Sequence, residues 1–187
     1  MKNDAKLATK LTHMGRPPAG LGTAVSHSVT RASTLLFEKA EDLYRNDVRG
    51  YGRYGSEVHD ALAALFTELE GGVGTMLYPS GLAALTGPIL SVVKPGDHVL
   101  LSDSAYGPTR SFCQTFLKEM GVETTFFEPR IGANIANEIK KNTSLILLES
   151  PGSLTFEIHD IPAIAKVAKA KNITTLIDNT WSAGISL

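Results

Sequence analysis

The sequence predicts an α/β protein built on a mostly parallel, doubly wound sheet. From His98 onward, short apolar runs alternate with longer stretches of helical periodicity. The runs HVLLS and SLILLES are apolar on successive residues instead of every second one, which is the pattern of strands buried on both faces. Loops rich in Gly, Ser and Asp follow these runs, so the connections are short and the crossovers helical.

Residues 1–57 form a predicted N-terminal arm. They carry Gly15, Pro17, Pro18, Gly20, Gly22, Gly50, Gly52 and Gly55, punctuation that favours irregular chain over a packed core. One or two helical turns are expected around Phe37–Arg45, with the arm lying over some other surface. Residues 58–187 are read as a large domain. His59–Leu69 spaces Ala61, Leu62, Leu65, Phe66 and Leu69 as an amphipathic helix closed by Gly71 and Gly72. TMLY is expected as a strand, SGLAALTGPILSVV as a helix, KPGD as a turn and HVLLS as a strand. PTRSFCQTFLKEM then makes a helix ended by Gly121, VETTFF a strand, and IGANIANEIKK a short helix. SLILLES follows as a buried strand, IPAIAKVAKAKN as a helix capped by Asp160, and TTLID as the last strand.

Bulk composition excludes several function classes. The chain has 187 residues, 43% of them hydrophobic, and 18 basic residues against 19 acidic ones give a net charge of -1. No global field attracts nucleic acid or a membrane surface. The opening MKNDAKLATK lacks the apolar core of a secretory leader, and no run of about 18 apolar residues occurs. A soluble, cytoplasmic protein is expected. The single Cys113 excludes an internal disulfide framework and a thiolate metal site, and its setting between Phe112 and Phe116 favours a small core residue over a nucleophile. The histidines at 13, 27, 59, 98 and 159 show no metal-ligand spacing, so no metal is assigned. GGVGTM precedes its strand and lacks a third glycine, which argues against a nicotinamide site.

In parallel sheets ligands bind at the carboxyl ends of strands. That selects YPSG at 78–81, SDSAYG at 102–107, ESPGS at 149–153 and DNTW at 178–181. Ser80, Gly81 and Leu82 open a helix, so free N–H groups and the helix dipole suit a phosphate there, although Ser80 would serve equally as an ordinary N-cap. Tyr106 could lay its ring on a planar ligand or simply pack on the core rim. Asp178 ends an apolar strand and needs a cation or hydrogen bonds. A protonated ring nitrogen would meet that need, and so would the turn that follows.

A phosphate nest, a stacking tyrosine and a strand-end aspartate, in that order along the chain, resemble the Cys/Met metabolism family of pyridoxal phosphate enzymes. The resemblance is carried by YGRYG at 51–55, ELEGG at 68–72, YPSGLAAL at 78–85, GDHVLLSDSAYGP at 96–108, IGANI at 131–135, LESPGS at 148–153, HDIPAI at 159–164 and IDNTWSAG at 177–184. Trp181 and IGANI look more like the β-lyase branch than the γ-synthase and γ-lyase branches. The fold so implied is the aspartate aminotransferase-like large domain of fold-type I enzymes, here incomplete.

The resemblance also implies roles. Gly81 and Leu82 would offer N–H groups to the cofactor phosphate, Tyr106 would stack on the pyridine ring and assist proton transfer, and Asp178 would pair with the ring nitrogen. Tyr51 and Arg53 would reach the cofactor phosphate of a neighbouring subunit, which implies a homotetramer of two tight dimers. The implied cofactor is pyridoxal 5'-phosphate and the implied substrate is cystathionine, cleaved to homocysteine, pyruvate and ammonia. Cystathionine γ-synthase, γ-lyase and methionine γ-lyase chemistries are the alternatives within the family. By the same resemblance, the lysine that links the cofactor and the arginine that grips the substrate carboxylate are expected beyond Leu187, together with a C-terminal domain. Activity is therefore expected of a longer parent chain, and a 187-residue product alone is expected to be inactive.

Overall fold

The computed structural model describes residues 6–185, and these form two compact units that divide after Leu77. In the first unit, helix α1 spans Leu7–His13, which glycine punctuation gave no reason to expect. A 3-10 turn occupies Ala40–Tyr44, within the stretch where a helical turn or two was expected, and a second one occupies Gly52–Tyr54. Helix α2 spans Glu57–Glu70. Its start is fixed by a reciprocal box in which Ser56 caps the His59 N–H and the His59 Nδ1 accepts the Ser56 N–H at 3.1 Å. Its end is Gly71 in the left-handed region at φ 63°, as the paired glycines suggested. Every buried residue among those described lies beyond this unit, so it builds no core of its own.

TMLY is not a strand. No described strand lies beside it, and without a ladder partner its alternation has nothing to pair with; Thr75 instead shares a hydroxyl contact of 2.8 Å with Thr67.

In the second unit, helix α3 spans Gly81–Val92, strand β1 His98–Ser102 and helix α4 Gly107–Phe112, which continues as a π-turn over Cys113–Leu117. Strand β2 covers Glu123–Phe127, a 3-10 segment covers Gly132–Asn137, and strand β3 covers Thr143–Glu149. Helix α5 covers Ile161–Ala170 and strand β4 Thr174–Asp178. Asp160 caps α5 by accepting the Ala163 N–H at 3.1 Å. The four strands are all parallel in the order β2-β1-β3-β4.

Side-chain alternation divides the core between the two faces of the sheet. Val99, Leu101, Leu145 and Leu147 meet Leu85 and Ile89 of α3 and Cys113 and Leu117 beyond α4. Leu100, Ile146 and Leu148 point the other way, onto Ile135, Ile164 and Ala168. Helices thus cover both faces, as continuous apolar strands require. Cys113 is fully buried and burial pushes its thiol up to about 11, so it behaves as a core residue. At the amino end of the sheet, the His98 imidazole joins three strands: Nδ1 lies 2.7 Å from Thr143 Oγ1 and Nε2 lies 2.8 Å from Thr125 Oγ1.

Candidate functional site

The face of the sheet covered by α3 and α4 collects the site residues at its carboxyl end. Helix α3 runs about 18 Å and β1 about 17 Å, and only the turn Lys94–Asp97 separates them. Packed back along the strand, α3 brings its first residue to the strand's carboxyl end. Ser80 is the N-cap there, and its Oγ accepts the Ala83 N–H at 3.2 Å. The capping role and an anion role are compatible. The N–H groups of Gly81 and Leu82 have no intrahelical partner, and a Cβ built on Gly81 would meet nothing within 4 Å. An approaching anion therefore finds two donors, the positive helix end and open space.

Tyr106 precedes α4 and is 47% exposed as a residue, so the core covers it only in part. Its main chain is firmly held: its carbonyl accepts the Arg110 N–H at 3.0 Å, and its N–H donates to Glu149 Oε2 at 2.7 Å. Asp178, at the end of β4, is half-buried. Its Oδ1 accepts from Thr180 twice, from N–H at 3.1 Å and from the hydroxyl at 2.5 Å. The aspartate does cap its turn, but among the described residues Oδ2 carries no hydrogen bond and is available to a cation.

Glu149 was given no role by sequence reasoning, although it obeys the same logic as Asp178: an acid closing an apolar strand. It is 8% exposed and is the register partner of Asp178 in the β3–β4 ladder. Residues 145, 147 and 149 share a face of β3, and 176 and 178 share a face of β4. Leu145, Leu147 and Leu176 all pack on the α3/α4 side. Both acids therefore face the same side of the sheet as Ser80 and Tyr106. Burial, and secondarily the charge of Asp178, pushes the Glu149 carboxyl above its ordinary range, while the Tyr106 N–H opposes that shift.

Ser102 points to the opposite face and joins Ser104 and His159. His159 Nε2 lies 3.1 Å from Ser102 Oγ and 3.2 Å from Ser104 Oγ. This buried cluster fastens the loop after β3 and has no open path to a ligand.

Tyr51 and Arg53 lie in the first unit. Tyr51 pairs with Thr34 in an isolated antiparallel bridge, and Arg53 Nη2 donates to the Tyr51 hydroxyl at 3.1 Å with its guanidinium 5.2 Å from the ring centroid. The pair presents one exposed fork of N–H donors, a suitable partner for phosphate oxygens. Among the described residues no group of three or more His, Cys, Asp or Glu could hold a metal ion, and no helix is long and apolar enough to cross a membrane.

Comparison with known proteins gives this geometry its family. The model of the Cys/Met metabolism PLP-dependent enzymes matches residues 8–187. The chain belongs to that family. It is 46% identical to cystathionine beta-lyase of Haemophilus influenzae, covering 99% of this chain and 49% of that protein. It is 42% identical to the cystathionine beta-lyase MetC of Escherichia coli, covering 97% of this chain and 48% of that one. Among solved structures, cystathionine gamma-lyase of Lactobacillus plantarum complexed with L-serine superimposes with a TM-score of 0.85 at 32% identity, over 96% of this chain and 46% of the other. The chain spans about half the length of the relatives it matches. The α/β sheet of this PLP-dependent family is thus the fold the sequence pattern predicted.

The residues present fit a phosphorylated pyridine. An anion cradle opens α3, an exposed aromatic ring stands before α4, and a carboxylate with one uncommitted oxygen closes β4. These three features lie on one face and at one end of the sheet.

Proposed function

We propose that the whole protein is a pyridoxal-phosphate-dependent carbon-sulfur β-lyase that cleaves cystathionine to homocysteine, pyruvate and ammonia. The observation that carries the reading is Asp178. It is a strand-end carboxylate whose Oδ1 is fixed by Thr180 and whose Oδ2 is left for a cation, on the same face as the anion cradle at Ser80. Identities of 42% and 46% to cystathionine beta-lyases support the β branch.

When bound, pyridoxal phosphate supplies an electron sink for the charge left at the substrate Cα. The N–H groups of Gly81 and Leu82 and the Ser80 hydroxyl would hold the phosphate. Tyr106 would stack on the pyridine ring, and its phenol would be available to assist proton transfer. Asp178 would keep the ring nitrogen protonated, because an ionised carboxylate beside it would favour the charged form. Tyr51 and Arg53 suit the phosphate of a second subunit, so the assembly is read as a homotetramer of two tight dimers in the cytoplasm. Sedimentation of the whole protein as a monomer would remove that part of the reading.

The test of the reaction is product analysis. The whole protein, incubated with pyridoxal phosphate and cystathionine, should release pyruvate and homocysteine. Release of 2-oxobutyrate and cysteine instead would assign the γ-lyase reaction, and no cleavage of any thioether amino acid would end the lyase reading.

A further inference from the structure

We propose that Glu149 is the positioning residue for Tyr106, holding the ring-covering tyrosine in register with Asp178. The proposal rests on the cofactor reading above.

Tyr106 sits where a loop turns into α4, and, 47% exposed as a residue, it is not fixed by the core from all sides. Its placement depends on the main chain. The Glu149 carboxyl reaches that main chain from a strand 43 residues later, and it accepts the Tyr106 N–H at 2.7 Å in a part-buried hydrogen bond, its own side chain being 8% exposed. The carboxylate is itself placed by the ladder: Glu149 and Asp178 are register partners on adjacent strands and face the same side. One side chain thus ties the residue that covers the ring to the strand whose acid meets the ring nitrogen. A stacking residue displaced by about 1 Å loses much of its value to a bound planar ligand, so the link bears on ligand geometry as well as on folding.

A glutamine can accept the same N–H, whereas alanine cannot. In the chain without cofactor, hydrogen exchange of the Tyr106 amide followed by NMR should be slow in the wild type and in Glu149→Gln. In Glu149→Ala it should be faster by about tenfold or more, with Ile146 in mid-strand equally protected in all three. Glu149→Met replaces alanine should the smaller residue melt the sheet. Titrated with pyridoxal phosphate, the alanine or methionine variant should bind about tenfold more weakly, with an altered induced circular dichroism band. Glu149→Gln should stay within about twofold of wild type. Unchanged Tyr106 exchange in the folded alanine or methionine variant overturns the proposal, and so does cofactor binding of wild-type strength and dichroism in that variant. A glutamine variant that behaves like alanine also overturns it. Should the wild type show the expected exchange pattern yet bind no pyridoxal phosphate, the cofactor reading fails, and the proposal falls with it, Glu149 being left as a purely structural contact.

Discussion

Gly152 packs against Ser104 so closely that a Cβ on the glycine would stand 2.5 Å from the serine Cβ. The two segments cannot separate easily. Ser153 donates its N–H to the Ser104 carbonyl at 2.7 Å, Gly152 donates to the Glu157 carbonyl at 2.9 Å, and Ser104 Oγ lies 3.2 Å from His159 Nε2. The loop after β3 is thereby laid over the end of β1, immediately beside Glu149 and Tyr106.

Gly152→Ala is expected to destabilise the chain by about 1–3 kcal/mol, because the Glu157 carboxylate can swing away from the added methyl but the Ser104 Cβ, fixed to its backbone, cannot. Urea unfolding measures it. A midpoint equal to wild type would mean that the loop can shift without cost.

The two buried histidines make stability depend on pH. Burial lowers the proton affinity of both His98 and His159. Near His98, Lys140 adds to that effect and Glu123 opposes it; near His159, Glu157 and Glu128 oppose it. Both imidazoles are therefore more easily protonated unfolded than folded, so their contribution is complete above about pH 6.5 and is lost as the pH falls through the depressed folded values. Urea midpoints should fall between pH 7 and pH 5, and His98→Gln should flatten part of that slope. An equal slope in the variant would assign the effect to other groups.

Much of this was legible in the sequence because periodicity and strand-end position are local signals. HVLLS and SLILLES announced buried strands and TTLID a strand, though a less buried one than expected, and Tyr106 and Asp178 stood where strands end. Ser80 stood at the expected end of TMLY, which is no strand, and is a helix cap instead. What escaped depends on non-local pairing. TMLY has strand composition but no ladder partner among the described strands. The role of Glu149 requires knowing that β3 lies between β1 and β4, and that alternation turns residue 149 toward the helix preceded by Tyr106. The Ser102–His159 contact joins residues 57 positions apart in the chain. No window of a dozen residues contains either relationship.

Asp178→Asn in the whole protein is expected to fold and to retain most cofactor affinity, since an amide oxygen still accepts both bonds from Thr180. Turnover should fall by about a hundredfold or more, because a neutral amide does not hold the proton on the ring nitrogen. Steady-state pyruvate release, compared with a pyridoxal phosphate titration of the same variant, separates the two effects. Near-normal turnover would remove Asp178 from the mechanism.

Glu149 is the place where stability and site geometry are expected to pull apart. Burial and the charge of Asp178 raise its proton affinity in the folded chain. Folding therefore favours the protonated form, and the stability this carboxyl contributes is present below its unfolded value and lost as the pH rises through its raised folded value. Above that raised value the wild type carries a charge in a mostly buried position beside a second acid. Glu149→Gln removes that charge, keeps an acceptor for the Tyr106 N–H, and turns an amide N–H toward Asp178. The variant should melt a few degrees above wild type at pH 7, and the difference should shrink as the pH approaches 4, where the wild-type side chain is itself neutral. Thermal unfolding at both values decides it. A variant less stable than wild type at pH 7 would mean that the charge-assisted bond to Tyr106 outweighs the desolvation and repulsion that oppose it.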